Sequence, residues 1–496
     1  MIKIIKIQFA LLVLLTFGWS CTSDEGNYAY HDINEIHVTG INEEYTAYTG
    51  ELFTIKPELN PTMDDNKDPK RYSYEWLAID PLQLPANSKT VIATTKDLDT
   101  LLKLPPAQYT VYYSVKDLVT GVTWQQTPFK LNVVSSIYEG WMVIGDVDGK
   151  ARLDMISILP GVATPRIITD VLDNVGSALK LEGKAVDVEC FSTPISTPIL
   201  YGIYVTASES GTSRIDPDSF GWVQAQNIAY ETSGGTFATN FGVDFMNSPK
   251  GGENFIYSKG DIYFYYRVYQ LKYGLPQNIV DTETKPFYAA PFIAENGGTI
   301  GTPVFYDKDL RRFVRYNYSK GNCSIMPPVA GSSTTLDWNN TNSDLVYMTT
   351  SGFNGGENFA VLKNRTNGKF YLLRFNRGLN QTYYKEILNA PDFDKAAKFA
   401  VSPDSGYLFY AVGGKVYEYD NGIQSAKLML DKGSEEITYI NFNARATNNT
   451  KKLIVGSYGT TGKLELYTVP PVNGDLILEN SYEGLCKIVD VAYRQR

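Results

Sequence analysis

Two histidines, His31 and His37, are the chain's whole supply of imidazole, and both stand near its start. A Ser-His-Asp triad or a His-ligated metal centre is therefore out of reach for everything beyond them. No GxSxG elbow, GxxxxGK[ST] loop or HExxH pair occurs. Carboxylate chemistry stays open, because glycoside hydrolysis needs only two suitably spaced acids and the chain has 54 Asp and Glu. Oxygen-rich runs at Asp64-Asp65-Asn66-Lys67-Asp68 and Asp146-Val147-Asp148-Gly149 suit either Ca²⁺ or a turn, and we read them as turns, with no metal or cofactor expected. Trp222 and Trp338 sit in polar, turn-rich stretches where an indole could stack on a sugar or a peptide side chain, or else plug a junction between sheets.

The cysteines divide by position. Cys21 follows a basic start with Lys3 and Lys6, an apolar run from Phe9 to Phe17, and the small residues Gly18 and Ser20. That is the layout of a cleaved signal peptide over residues 1–20, and the run is too short to span a bilayer. A cysteine at the first mature position resembles a bacterial lipoprotein signal, with Gly18 and Trp19 departing from the usual box, and implies acylation of Cys21. Two or three acyl chains at ~0.8 kcal/mol per buried methylene hold a protein on a membrane essentially permanently. Asp24 and Glu25 follow in the linker 21–27, and resemble the acidic signal that sends such lipoproteins to the outer face of the outer membrane. Cys190, Cys323 and Cys486 are widely spaced and form no CxxC pair, so we read them as buried thiols.

Composition narrows the partners. Without Lys3 and Lys6 the mature balance is 43 basic against 54 acidic residues, or −11. Such a surface repels nucleic acid and anionic membranes. No later apolar stretch reaches the ~20 residues of a transmembrane helix.

Positioning elements are almost all strands. Tyr, Thr, Val and Ile fill short alternating runs broken by Gly, Asn, Asp and Pro, which predicts an all-β chain. The texture changes near Ser135 to Tyr138, where we place a boundary between zones 28–136 and 137–496. In the first zone, Tyr72-Ser73-Tyr74-Glu75-Trp76 puts three aromatics on one strand face, and Gln108 to Asp117 forms another alternating strand. This pair resembles the PKD-like branch of immunoglobulin-type sandwiches, although the expected glycine-rich turn after Trp76 is replaced by Leu77-Ala78-Ile79-Asp80.

The second zone repeats. Gly-Gly-Glu-Asn-Phe stands at 251–255 and 355–359, each time opening a strand, turn and strand, and a third copy runs from Ala400 to Tyr419. These copies resemble β-propeller blades. Landmarks at Leu153, Ile203, Tyr263, Phe313, Phe370, Phe409 and Leu464 recur about every 52 residues, slightly beyond common blade periods, so seven blades are favoured and eight possible. Gly140 to Ile144 and Lys487 to Tyr493 are both strand-like, and pairing them would close the ring and hide two edges.

Together with Gly26-Asn27-Tyr28-Ala29-Tyr30, these features resemble the PKD-like family lipoproteins of Bacteroidetes. The resemblance implies a non-catalytic surface subunit beside a SusC-like TonB-dependent transporter and a SusD-like lipoprotein, helping to capture or present glycan or peptide. The alternative is a surface glycan-degrading enzyme with a carboxylate pair in the propeller.

Overall fold

The structure is a computed structural model that describes residues 33–495, apart from 65–67, 69, 81, 83–87, 194–199, 236, 248–252, 267–269, 295–301, 330–334 and 443–450. The signal segment, Cys21, Asp24, Glu25, the 26–30 run and His31 lie outside the described residues, as do Gly251, Gly252 and part of the Asp64–Asp68 run. The chain is nearly all β and divides into two compact units. One holds the chain to Ala47 and Glu51–Val133, and the other Tyr48–Gly50 and Val134–Arg496.

The first unit is a sandwich. Its main sheet runs in the order Glu44–Tyr48, Phe129–Val134, Ala107–Asp117, Tyr72–Ile79 and Lys89–Ala93, with Thr123–Gln125 also on Ala107–Asp117. Two strand pairs, Ile36–Thr39 with Glu58–Pro61 and Leu52–Ile55 with Leu98–Leu101, contribute to the same core. Strict alternation buries Tyr109, Val111, Tyr113, Val115 and Asp117 from one strand. Trp76 lies in that core with its ring 4.2 Å from Tyr113, and its indole N–H donates to the Thr95 carbonyl at 3.0 Å. Each such fully buried large side chain contributes roughly 1.5–3 kcal/mol, which sets the strand register.

Among the described residues the second unit holds seven sheets, each antiparallel, and all seven landmark residues fall one to a sheet. In chain order the first strands of the second to seventh sheets are Ala185–Thr193, Phe245–Asn247, Val304–Asp307, Ser343–Ser351, Lys398–Val401 and Glu436–Phe442. Several of these first strands approach one another and the C-terminal strand Lys487–Arg494, which makes them the inner strands of a propeller. The first sheet takes its inner strand from Lys487–Arg494 and its outer three from Glu139–Val147, Lys150–Ile158 and Arg166–Ile168. The expected pairing of the second zone's first and last strands is present, from Gly140 opposite Arg494 to Asp146 opposite Lys487. The irregularity in that ladder falls at Ile144/Gly145, where a Cβ on Gly145 would collide with the Lys487 carbonyl and the Cys486 sulfur.

Candidate functional site

Where the inner strands of the first, second and seventh sheets meet, side chains of opposite chemistry to the core converge. Ala185–Thr193 supplies Asp187 and Glu189, Lys487–Arg494 supplies Asp490, and Glu436–Phe442 supplies Tyr439 and Asn441. The exposed Lys398, at the start of the sixth sheet, adds a positive field at Asp490. Both aspartates stand in Val-Asp-Val triplets, 186–188 and 489–491, so the β-branched neighbours fix an extended strand while the acid points away from their side.

The fold makes the two acids neighbours. Asp187 and Asp490 interact closely enough that each changes the titration of the other. Backbone N–H groups support the pair: Val188 donates to Asp490 Oδ2 at 3.1 Å, and Met246 donates to the Asp187 carboxylate. Burial is the largest cause that lifts Asp187 well above the ordinary carboxylate range, followed by the charges of Asp490 and Glu189. Burial also raises Asp490, against the opposing pull of the Val188 and Val491 amides and Lys398. Two neighbouring buried carboxyls cannot both ionise cheaply, so the pair holds its proton above the ordinary carboxylate range.

Beside them, the buried Tyr439 hydroxyl donates to the Val491 carbonyl at 3.3 Å and accepts from the Asn441 amide at 3.2 Å. Burial and the three nearby acids push this phenol well above its ordinary range, so it stays neutral. The assembly offers carboxylate acceptors, a phenol and one titrating proton. It suits a ligand that brings hydroxyl or ammonium donors.

The two tryptophans singled out in the sequence are not at this site. Trp338 is 1% exposed, with its ring edge-on to Phe313 and Phe375, each at 5.2 Å. A ring enclosed on both sides has no face for a sugar, so its stacking role is withdrawn; it plugs the junction of the fourth and fifth sheets. Trp222 is half-buried against the core of the first and second sheets, and its indole N–H is shut away from solvent with no partner among the described residues. Asp148 and Gly149 both adopt left-handed backbone in the hairpin between Glu139–Val147 and Lys150–Ile158, so that acidic run is a turn. Among the described residues no group of three or more His, Cys, Asp or Glu is placed to hold a metal ion.

Residues 21–179 match the PKD-like family. That match runs past Val133 into the first propeller sheet. No curated protein matches the sequence. Among solved structures, a quinonprotein alcohol dehydrogenase-like protein from Bacteroides thetaiotaomicron is similar over 92% of this chain and 96% of its own, at 11% identity and a TM-score of 0.47. A putative 6-phosphogluconolactonase from Bacteroides uniformis is similar over 72% of this chain and 99% of its own, at 12% identity and a TM-score of 0.42. A GH74 xyloglucanase from Xanthomonas campestris is similar over 77% of this chain and 58% of its own, at 11% identity and a TM-score of 0.35. No activity is carried over from any of them.

Proposed function

We propose that the chain is a non-catalytic accessory lipoprotein of the outer membrane, anchored through Cys21, facing the exterior, and serving a SusC/SusD-type importer. Asp24 and Glu25 direct its export, the PKD-like unit spaces it from the membrane, and the propeller captures or presents glycan or peptide. One observation carries the binding half of this reading: Asp187, Glu189, Asp490 and Tyr439 converge on adjacent inner strands, an arrangement that favours hydroxyl-rich or cationic ligands. The PKD-like match over residues 21–179 supports the lipoprotein half.

Hydrolysis of glycan by a carboxylate pair is the second reading, and the Asp187–Asp490 pair is what favours it. Its weakness is burial and mutual coupling, because a glycosidase pair needs one carboxylate ionised and room for the anomeric carbon or a water between the two, whereas burial raises both of these acids.

Native purification of the full-length lipoprotein from outer membranes, with mass spectrometry of everything that co-elutes, tests the importer role. A TonB-dependent barrel with its lid protein is the expected result, and recovery of the lipoprotein alone in gentle detergent sinks it. Calorimetric titration of the same protein with glycan and peptide panels tests the site: binding should vanish in Asp490→Asn, and turnover of any glycan would move the assignment to the second reading.

A further inference from the structure

Glu418 is an anomaly of the sixth sheet. It lies in Lys415–Asp420, directly opposite Phe409 on one side and Lys427 on the other, and it is 1% exposed. Phe409 packs its ring 5.7 Å from Phe442 of the seventh sheet, so the face that carries Glu418 is the one covered by that sheet. Among the described residues neither carboxylate oxygen has a hydrogen-bond partner. A buried carboxylate left wholly unpaired costs more than any other common defect in a fold, unless it is neutral or about to be paired.

Its natural partner is engaged elsewhere. Lys427 Nζ donates to the Asn473 carbonyl at 2.9 Å and pairs with Asp475 Oδ1 at 2.7 Å, both in the turn that precedes Ile477–Leu485 of the seventh sheet. That turn is strained. Val472 and Asn473 hold φ of 62° and 53°, and a β-branched residue in the left-handed region persists only where its surroundings force it. Val472 is 85% exposed and gains nothing from packing there. Sixth-sheet groups impose the conformation: the Tyr407 hydroxyl accepts from the Val472 and Asn473 amides, Asp420 Oδ2 accepts from the Asn473 side chain at 3.1 Å, and Lys427 holds the carbonyl.

We propose that Glu418 and Asp475 compete for Lys427, and that the proton on Glu418 decides between them, making turn 470–475 a latch between the sixth and seventh sheets that is closed with Glu418 neutral and released with it ionised. Ionised Glu418 draws Lys427 across the strand pair, the turn loses a clamp, and the strain at Val472 and Asn473 is relieved. The groups that face Glu418 are Lys427 on the neighbouring strand, Asp420 at the end of its own, and Tyr407 ahead of Leu408–Val412, with Asp475 beyond Lys427. Burial raises Glu418 to about 7, with Lys427 opposing and Asp420 adding. The latch therefore turns over near neutrality.

Hydrogen–deuterium exchange of the full chain between pH 5 and 8.5, corrected for the intrinsic pH dependence of exchange, reads the latch at the Val472 and Asn473 amides. The opening constant should rise roughly tenfold per pH unit up to about 7 and then flatten. Glu418→Gln, close in shape and without the charge, should stay protected with a flat profile, and Lys427→Met should be unprotected throughout. Wild-type protection that does not change with pH, or an unchanged profile in Glu418→Gln, overturns the proposal.

Discussion

Asp154 and Cys486 are 332 residues apart in sequence and joined by a hydrogen bond, the Cys486 backbone N–H donating to Asp154 Oδ2 at 2.9 Å. The same carboxylate accepts from the Asp170 amide at 2.9 Å and pairs with Arg152 at 2.8 Å, and its side chain has no exposure. One buried acid thus ties the second strand of the first sheet to the start of its inner strand, which comes from the other end of the chain. Closure of the ring is a covalently distant event, and its loop-closure entropy must be met by contacts of this kind.

A chain ending at Asn480 loses Lys487–Arg494, exposes the edge of Glu139–Val147 and opens the first sheet. Calorimetry should show the propeller transition lowered or broken into parts, and a melting temperature equal to that of the whole chain would contradict ring closure as the source of cooperativity. Asp154→Ala leaves Arg152 and the Cys486 amide without their acceptor and should cost about 2–4 kcal/mol by denaturant titration. Gly145→Ala, which places a methyl against the Lys487 carbonyl, should destabilise the same transition.

Trp338→Ala separates core from ligand site. The ring is enclosed by Phe313 and Phe375, so truncation should cost about 3–5 kcal/mol of stability in chemical denaturation. Ligand affinity per folded molecule should be unchanged. A variant with wild-type stability and lost binding would return Trp338 to the site.

The fold was legible where periodicity could be counted. Seven landmarks about 52 residues apart each found a separate sheet, and the strand-like ends at Gly140 and Lys487 paired, because alternation and edge hiding are local properties written in residue type. The candidate site was illegible for the converse reason. Asp187 and Asp490 are 303 positions apart, and only ring closure makes them neighbours. Their one shared trace is the Val-Asp-Val triplet, an acid flanked on both sides by β-branched residues. Trp338 misled because local polarity describes the turn beside it, whereas burial is decided by the neighbouring sheets.

The acid pair should make stability fall with rising pH. Folded Asp187 and Asp490 hold a proton that two separate unfolded carboxyls would release, so the folded state binds more protons above the ordinary carboxylate range. The stabilisation is complete below that range and is lost as pH climbs toward the pair's raised titration. Asp187→Asn keeps a hydrogen-bond donor for Asp490 and removes the second charge, so its melting temperature should change less than wild type between pH 5 and 8 and match or exceed it at pH 8. An equal loss at both pH values would mean that no proton is shared.

Thiol labelling reports on the fold and on Cys21 together. Cys190, Cys323 and Cys486 are all buried, and burial pushes the Cys323 and Cys486 thiols above their ordinary range, so neither supplies thiolate at neutral pH. Folded protein should therefore resist a maleimide at these three positions. In concentrated guanidinium chloride three labels should add by mass spectrometry if Cys21 carries lipid on its sulfur, and four if that sulfur is free. Rapid labelling of Cys486 before denaturation would show that the first sheet opens at its inner strand, because its sulfur sits against the Val143 carbonyl inside the closure.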